Sequence, residues 1–173
     1  IFAGRARRLL VRPSFPSNKE IKVHLGCGPV HHPDFINIDG FPFPHVHYVS
    51  RIDRLPMLED NSVDLIYASH CLEHFHYKSV IEVLSEWRRF LKPSGEIYIS
   101  VPDVDKLIVI YKANENDPDV IMEKLMGGQK NKYNYHYTVF NYINLAKKLH
   151  EVVFNSIEEW QAPYDMGGVL KDF

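Results

Sequence analysis

"IKVHLGCGPVHHPDFINIDG", residues 21–40, is the stretch that decides the fold. Five residues, Ile21–Leu25, read as a buried strand that Gly26 and Gly28 break. "FINID", 35–39, reads as a second strand that ends on an acid, Asp39, followed by Gly40. Two glycines one residue apart let backbone N–H groups approach a ligand with no Cβ in the way. An acid at the tip of the next strand is the residue type that accepts hydrogen bonds from ribose hydroxyls. Either feature alone also suits a plain turn; together they favour a nucleotide or nucleoside ligand.

Spacing narrows that ligand. A pyrophosphate site needs a third glycine and a helix N-terminus aimed at the phosphates. Between Gly28 and Asp39 the chain has two prolines, no further glycine and little room for a helix. The separation of 11 positions is short of the roughly 20 of a dinucleotide fold. A ligand with ribose and no phosphate fits better.

Working outward, "VHYVS" (46–50) reads as a third strand and "VDLIYA" (63–68) as a strongly apolar fourth. The stretch 77–91 places Val80, Ile81, Val83, Leu84, Trp87 and Leu91 at helical spacing, and Pro93 and Gly95 stop it. "EIYISV" (96–101) predicts a fifth strand, and helices follow over 104–114, 117–126 and 139–152. "FNSIEEW" (154–160) predicts a sixth strand. The polar, aromatic segment within 112–138 reads as a lid or acceptor segment, and residues 1–20 as an N-terminal extension before a domain spanning 21–173. Alternating strands and helices predict an α/β, Rossmann-like doubly wound, mostly parallel sheet with helices on both faces. Ligands of such sheets bind at the carboxyl ends of the strands. Function is therefore sought at 26–29, 39–40, 50–55, 69–74 and 102–105.

The bulk composition excludes several classes. The 173 residues suit one domain, the net charge is -2, and no basic footprint points to nucleic acid. The one basic cluster, "RARRLLVR" (5–12), reads as a solvated face. No apolar run is long enough for a membrane span, and "IFAGRARRLLV" is too short and charged for a secretory signal. Two cysteines, Cys27 and Cys71, make no disulfide framework, so a reduced, cytoplasmic protein is expected. The chain starts at Ile1, not Met, so the native N-terminus is expected to lie upstream.

Four stretches together resemble class I S-adenosylmethionine-dependent methyltransferases: "VHLGCGP", "INIDG", "DRLPMLEDNSVDLIYASHCLEHF" and "EWRRFLKPSGEIYISVPD". They resemble most the type-11-like group, whose members often accompany cell-surface carbohydrate biosynthesis. The resemblance runs from about Lys22 to Asp105 and more loosely to Trp160. It implies S-adenosylmethionine as cofactor and methyl transfer to a small-molecule acceptor, with a sugar or nucleotide-linked sugar as one class. Leu25, Gly26, Cys27 and Gly28 would pass under the methionine part, and Asp39 with Gly40 would meet the ribose. Asp53, with the backbone at Arg54 and Leu55, would meet the adenine edge, and Ser69 and His70 would line the sulfonium. The chain departs from the family at His24, which stands where an acid is usual. Its first crossover is shortened, and it ends at "GGVLKDF" before the expected final antiparallel strand.

Methyl transfer from a sulfonium is an in-line displacement in which the protein chiefly aligns the reactants. A hydroxyl acceptor would also need a base. His70 is the first candidate, Asp103 the second and His136 the third, although Asp103 equally suits a helix cap. A non-catalytic cofactor-binding partner domain is the rival reading. The pattern H-x-x-E-H at His70, Glu73 and His74 raises a zinc hydrolase as a remote alternative. That reading needs the motif on a helix, whereas here it follows a strand directly, so no metal is expected. The acceptor and the oligomeric state, a dimer included, are not legible.

Overall fold

The computed structural model describes residues 14–17 and 19–160. The basic cluster at 5–12, most of the N-terminal extension, and the end of the chain with its expected missing strand lie outside them. The elements are β1 (Lys22–Leu25), β2 (Ile36–Asp39), β3 (Tyr48–Val49), β4 (Val63–Ser69), α1 (Val80–Phe90), β5 (Leu91–Ser100), α2 (Val104–Ala113), α3 (Asp119–Met126) and α4 (Tyr142–Glu151). The five strands form one sheet in the order β3-β2-β1-β4-β5, and every pairing is parallel. The order reverses at β1, whose two neighbours are β2 and β4, so the cleft at the strand tips opens between β1, β2 and β4.

Alternation along β1 separates two cores. Val23 and Leu25 point into the main core with Ile38, Ile66 and Ala68, beneath α1 and the Leu149 end of α4. From α1, Val80, Val83, Leu84, Trp87 and Phe90 are all buried there, each contributing about 1.5–3 kcal/mol by area. On the other face a smaller cluster holds Val30, Phe35, Leu65 and Tyr67, with Tyr98 and Trp160 against it. His24 and Asn37 are buried polar residues of that face, His24 with its ring edge-on to Tyr67 and Phe35. Loop residues, not a helix, fill this side beside β1, because residues 26–35 form only turns. The shortened first crossover is thus borne out.

Three expectations need correction. The third strand shrinks from 46–50 to Tyr48–Val49. The fifth begins at Leu91, with no loop between it and α1. Leu91 pairs with Val63 and Glu96 with Leu65, so five steps along β5 face two along β4. "KPSG" is therefore the bulge of a strand. A Cβ on Gly95 would lie 2.9 Å from the Asp64 carbonyl, which explains the glycine. The sixth strand does not form: Phe154–Trp160 carries no ladder. At the β5 edge a side chain takes the place of a backbone donor, since Trp160 Nε1 donates to the Ile99 carbonyl at 3.0 Å. Its ring also packs edge-on against Tyr98 and Tyr67.

Candidate functional site

The turn after β1 is built for close approach. Gly26 and Gly28 both have left-handed backbones, φ +62° and +53°. The Gly26 and Cys27 amides donate to the Ile38 carbonyl at 2.9 and 3.3 Å, folding the turn over β2. A Cβ on Gly28 would meet nothing within 4 Å, so the space above it is open. Leu25 turns its side chain into the core, leaving only backbone toward the cleft. Cys27 is buried, and burial first, with the Asp39 charge second, pushes its thiol up to about 12. Neither Cys27 nor Cys71 forms a disulfide.

Asp39 closes the turn from the other side. Its Oδ2 accepts the Gly28 amide at 2.8 Å and its Oδ1 accepts the Phe41 amide at 2.7 Å. Asp39 as a residue is 8% exposed, and each carboxylate oxygen keeps lone-pair capacity beyond one backbone donor. Gly40 follows, with Tyr133 of the distant 127–139 loop lying over it: a Cβ there would be 3.2 Å from the tyrosine ring. Tyr133 also meets Phe41 edge-on. The segment 112–138 is not one loop, since it holds the end of α2 and all of α3. Its final part is tied to the β4 exit by the Tyr137 and Thr138 amides, which donate to the Glu73 carbonyl.

At the β3 exit Asp53 is paired with Arg51, whose Nε and Nη2 both donate to it. That hydrogen bond, as the largest cause, holds the Asp53 carboxyl below its usual range. Arg54 is exposed. The Leu55 amide donates to Glu86 Oε1 at 2.7 Å and its carbonyl accepts from Arg89 Nη2 at 3.1 Å. Both backbone groups are committed to α1 and its side chain to the core, so Leu55 fastens this loop, and its amide and carbonyl are already paired.

The exit of β4 carries the densest chemistry. Ser69 is buried and its Oγ has no hydrogen-bond partner. His70 has φ +50°, unusual for a side chain of this size. That turn brings Nδ1 to 3.3 Å from Glu73 Oε1. Residues Leu72–His74 form a single 3-10 turn, so the H-x-x-E-H pattern lies at a strand mouth and not along an α-helix. This removes the zinc-peptidase arrangement, in which both histidines project one turn apart from one helix. His136, from the 127–139 loop, places Nε2 3.8 Å from the same Glu73 oxygen. Burial, its largest influence, lowers the pKa of His136. Asp103, by contrast, caps α2: its Oδ1 accepts the Asp105 amide at 2.9 Å.

Sequence reading brings together 26–28, 39–40 and 69–70, and the fold does so as well. It misses Arg51, whose role depends on the Asp53 pairing. Tyr133 belongs to the aromatic segment read as a lid or acceptor surface, and the fold lays its ring over Gly40. A cavity of about 450 Å³ beside Arg51 and Asp53 is lined by His74, His76, Ser79 and Tyr137.

Residues 34–99, less than half of the chain, match the family model described as a methyltransferase domain. No curated protein matches in sequence. Among solved structures, an S-adenosylmethionine-dependent methyltransferase of Thermotoga maritima aligns with TM-score 0.56 and 16% identity over 80% of this chain and 66% of its own. One from Archaeoglobus fulgidus aligns with TM-score 0.53 and 20% identity over 79% and 61%. The 1,6-didemethyltoxoflavin-N1-methyltransferase of Burkholderia thailandensis, with bound substrate and S-adenosylhomocysteine, gives 0.56 and 14% over 88% and 65%. The chain thus spans less than two thirds of these structures. The class I methyltransferase resemblance read from the sequence is borne out, and the fold is the Rossmann-like α/β fold of those enzymes. Among the described residues no helix is long and apolar enough to cross a membrane.

Proposed function

We propose that this chain binds S-adenosylmethionine at the tips of β1, β2 and β4 and transfers its methyl group to a small-molecule acceptor. The observation that carries this reading is the 2.8 Å bond between the Gly28 amide and Asp39, which fixes the glycine turn and the acid as one cradle. Three features fit the cofactor: open space over Gly28, a buried carboxylate with lone pairs to spare, and the orphaned Ser69 hydroxyl. The bound cofactor would supply a methyl group already activated on sulfur.

The protein's own work is then alignment and, for a hydroxyl acceptor, proton removal. Asp39 would hold the ribose diol, and Asp53, stiffened by Arg51, would face the adenine edge. Ser69 and His70 would border the sulfonium. His70 is the base favoured by geometry, because it stands at the exit of β4 with Nδ1 3.3 Å from the Glu73 carboxylate. Asp103 is occupied as a cap, and His136 spends Nδ1 on the Lys124 carbonyl at 3.0 Å. Sugars and nucleotide-linked sugars, with several hydroxyls, are the acceptor class to try first. Tyr133, Tyr135 and Tyr137 of the loop over the cleft would offer stacking surfaces.

Calorimetry with S-adenosylhomocysteine tests the cofactor claim without needing the acceptor. Binding is expected for the wild type, weakened about 30-fold or more in Asp39→Ala, which removes a charged acceptor of two hydroxyls. Unchanged affinity in Asp39→Ala would overturn the ribose assignment. Binding with no turnover across a panel of acceptors would favour a non-catalytic cofactor-binding domain.

A further inference from the structure

We infer a binding site for one first-row divalent transition-metal ion, held by Glu73, His74 and His136 where the 127–139 loop meets the exit of β4. One donor atom from each residue lies within 4.8 Å of the other two. Three observations on these side chains point to a cation and not merely to proximity.

Glu73 is fully buried, and among the described residues neither carboxylate oxygen has a hydrogen bond: the contacts of Oε1 are His70 Nδ1 at 3.3 Å and His136 Nε2 at 3.8 Å, and Oε2 has none. A buried carboxylate without strong compensation is among the most costly groups a fold can hold. His136 Nδ1 lies 3.0 Å from the Lys124 carbonyl, so that nitrogen carries the proton and donates. Its Nε2 therefore turns a lone pair toward Glu73 Oε1, 3.8 Å away. A ligating imidazole pinned on its far nitrogen by a carbonyl is the usual outer-shell arrangement of metal sites. His74 has both nitrogens beside carbonyl oxygens, Tyr135 at 3.0 Å and His70 at 3.1 Å. Each ring nitrogen is within reach of one carbonyl, and an ion would take one nitrogen while the other keeps its N–H on the second carbonyl. The cluster thus concentrates electron pairs, and a cation between them would satisfy all three residues.

The dimensions agree. Donors bound at about 2.0–2.2 Å lie roughly 3.3 Å apart around a tetrahedral ion. The Glu73–His136 pair needs only about half an ångström of closure, and side-chain rotation supplies the rest. Two imidazole nitrogens with one carboxylate favour zinc, or cobalt in its place, over manganese, magnesium or calcium. His74 also lines the cavity beside Arg51 and Asp53, which gives an ion a route in. Because His136 comes from the loop and Glu73 from the β4 exit, the ion would clamp one onto the other.

The test uses the whole chain, stripped with a chelator and titrated with Co²⁺ and Zn²⁺ in the absence of any cofactor. Cobalt visible absorption and metal analysis after equilibrium dialysis provide the readouts. The expected result is one equivalent bound, a rise in unfolding temperature with Zn²⁺, and at least tenfold weaker binding in Glu73→Gln and in His136→Gln. His76→Gln, an exposed neighbour outside the cluster, should bind as the wild type does. Should Glu73→Gln fail to fold, His136→Gln alone decides. Binding well below one equivalent, or binding that His136→Gln leaves unchanged, overturns the site. The cofactor reading stands or falls separately, on the S-adenosylhomocysteine titration.

Discussion

His24→Leu should remove an acid sensitivity built into the second face of the sheet. His24 is 1% exposed, and burial, its largest influence, lowers its pKa from 6.5 to about 4. The Asn37 side chain opposes that shift, while the charges of His32 and His45 add to it. The folded state therefore keeps the ring neutral between about pH 6.5 and 4, whereas the unfolded chain protonates it. Falling pH adds a proton to the unfolded state that the native state refuses, so stability declines through that window. Each pH unit fully inside it removes about 1.4 kcal/mol, and from pH 7 to pH 5 the sum is about 2 kcal/mol. The assay is urea unfolding of wild type and His24→Leu at both pH values. Comparing the two proteins cancels the contributions of the other histidines and carboxylates. The wild type should lose about 2 kcal/mol more than the variant. Equal losses, within about 0.5 kcal/mol, would show that His24 does not hold a depressed pKa and would refute the reasoning.

Two further substitutions probe the framework of the site. Gly26→Ala should destabilise by about 2 kcal/mol or more, because a left-handed alanine adds backbone strain and its Cβ would lie 2.7 Å from Cys71 Cβ. Thermal unfolding within a degree of the wild type would contradict that packing. Trp87→Phe should lower stability by about 3 kcal/mol: it leaves the Ile52 carbonyl without its donor at 2.7 Å and opens a small cavity. A loss below about 1 kcal/mol in denaturant titration would show that the bond matters little.

The strand tips were legible because sequence-local chemistry marks them. Glycines must occupy positive φ at 26 and 28, and the acid at 39 ends a short apolar run, so composition and position name the site together. Helix α1 was legible for the same reason, as its buried residues recur at the helical period. What escaped depends on contacts between distant segments. The Leu55 amide looked available until the fold brought Glu86 to it. "KPSG" looks like a breaker in isolation, yet pairing with β4 holds its flanks in one strand. The 154–160 segment has strand-like composition, and Trp160 meets the sheet through its indole. His136 showed no sign in the sequence of its approach to Glu73, since 63 residues separate them and only the path of the 127–139 loop joins them.

Between Gly26 and Cys71 there is no slack: the hairline fit that forbids a single methyl group also joins two loops mechanically. A substitution that enlarges either partner, at 26 or at 71, would therefore be felt by both loops. The two halves of the cleft thus touch directly at this point, backbone against side chain.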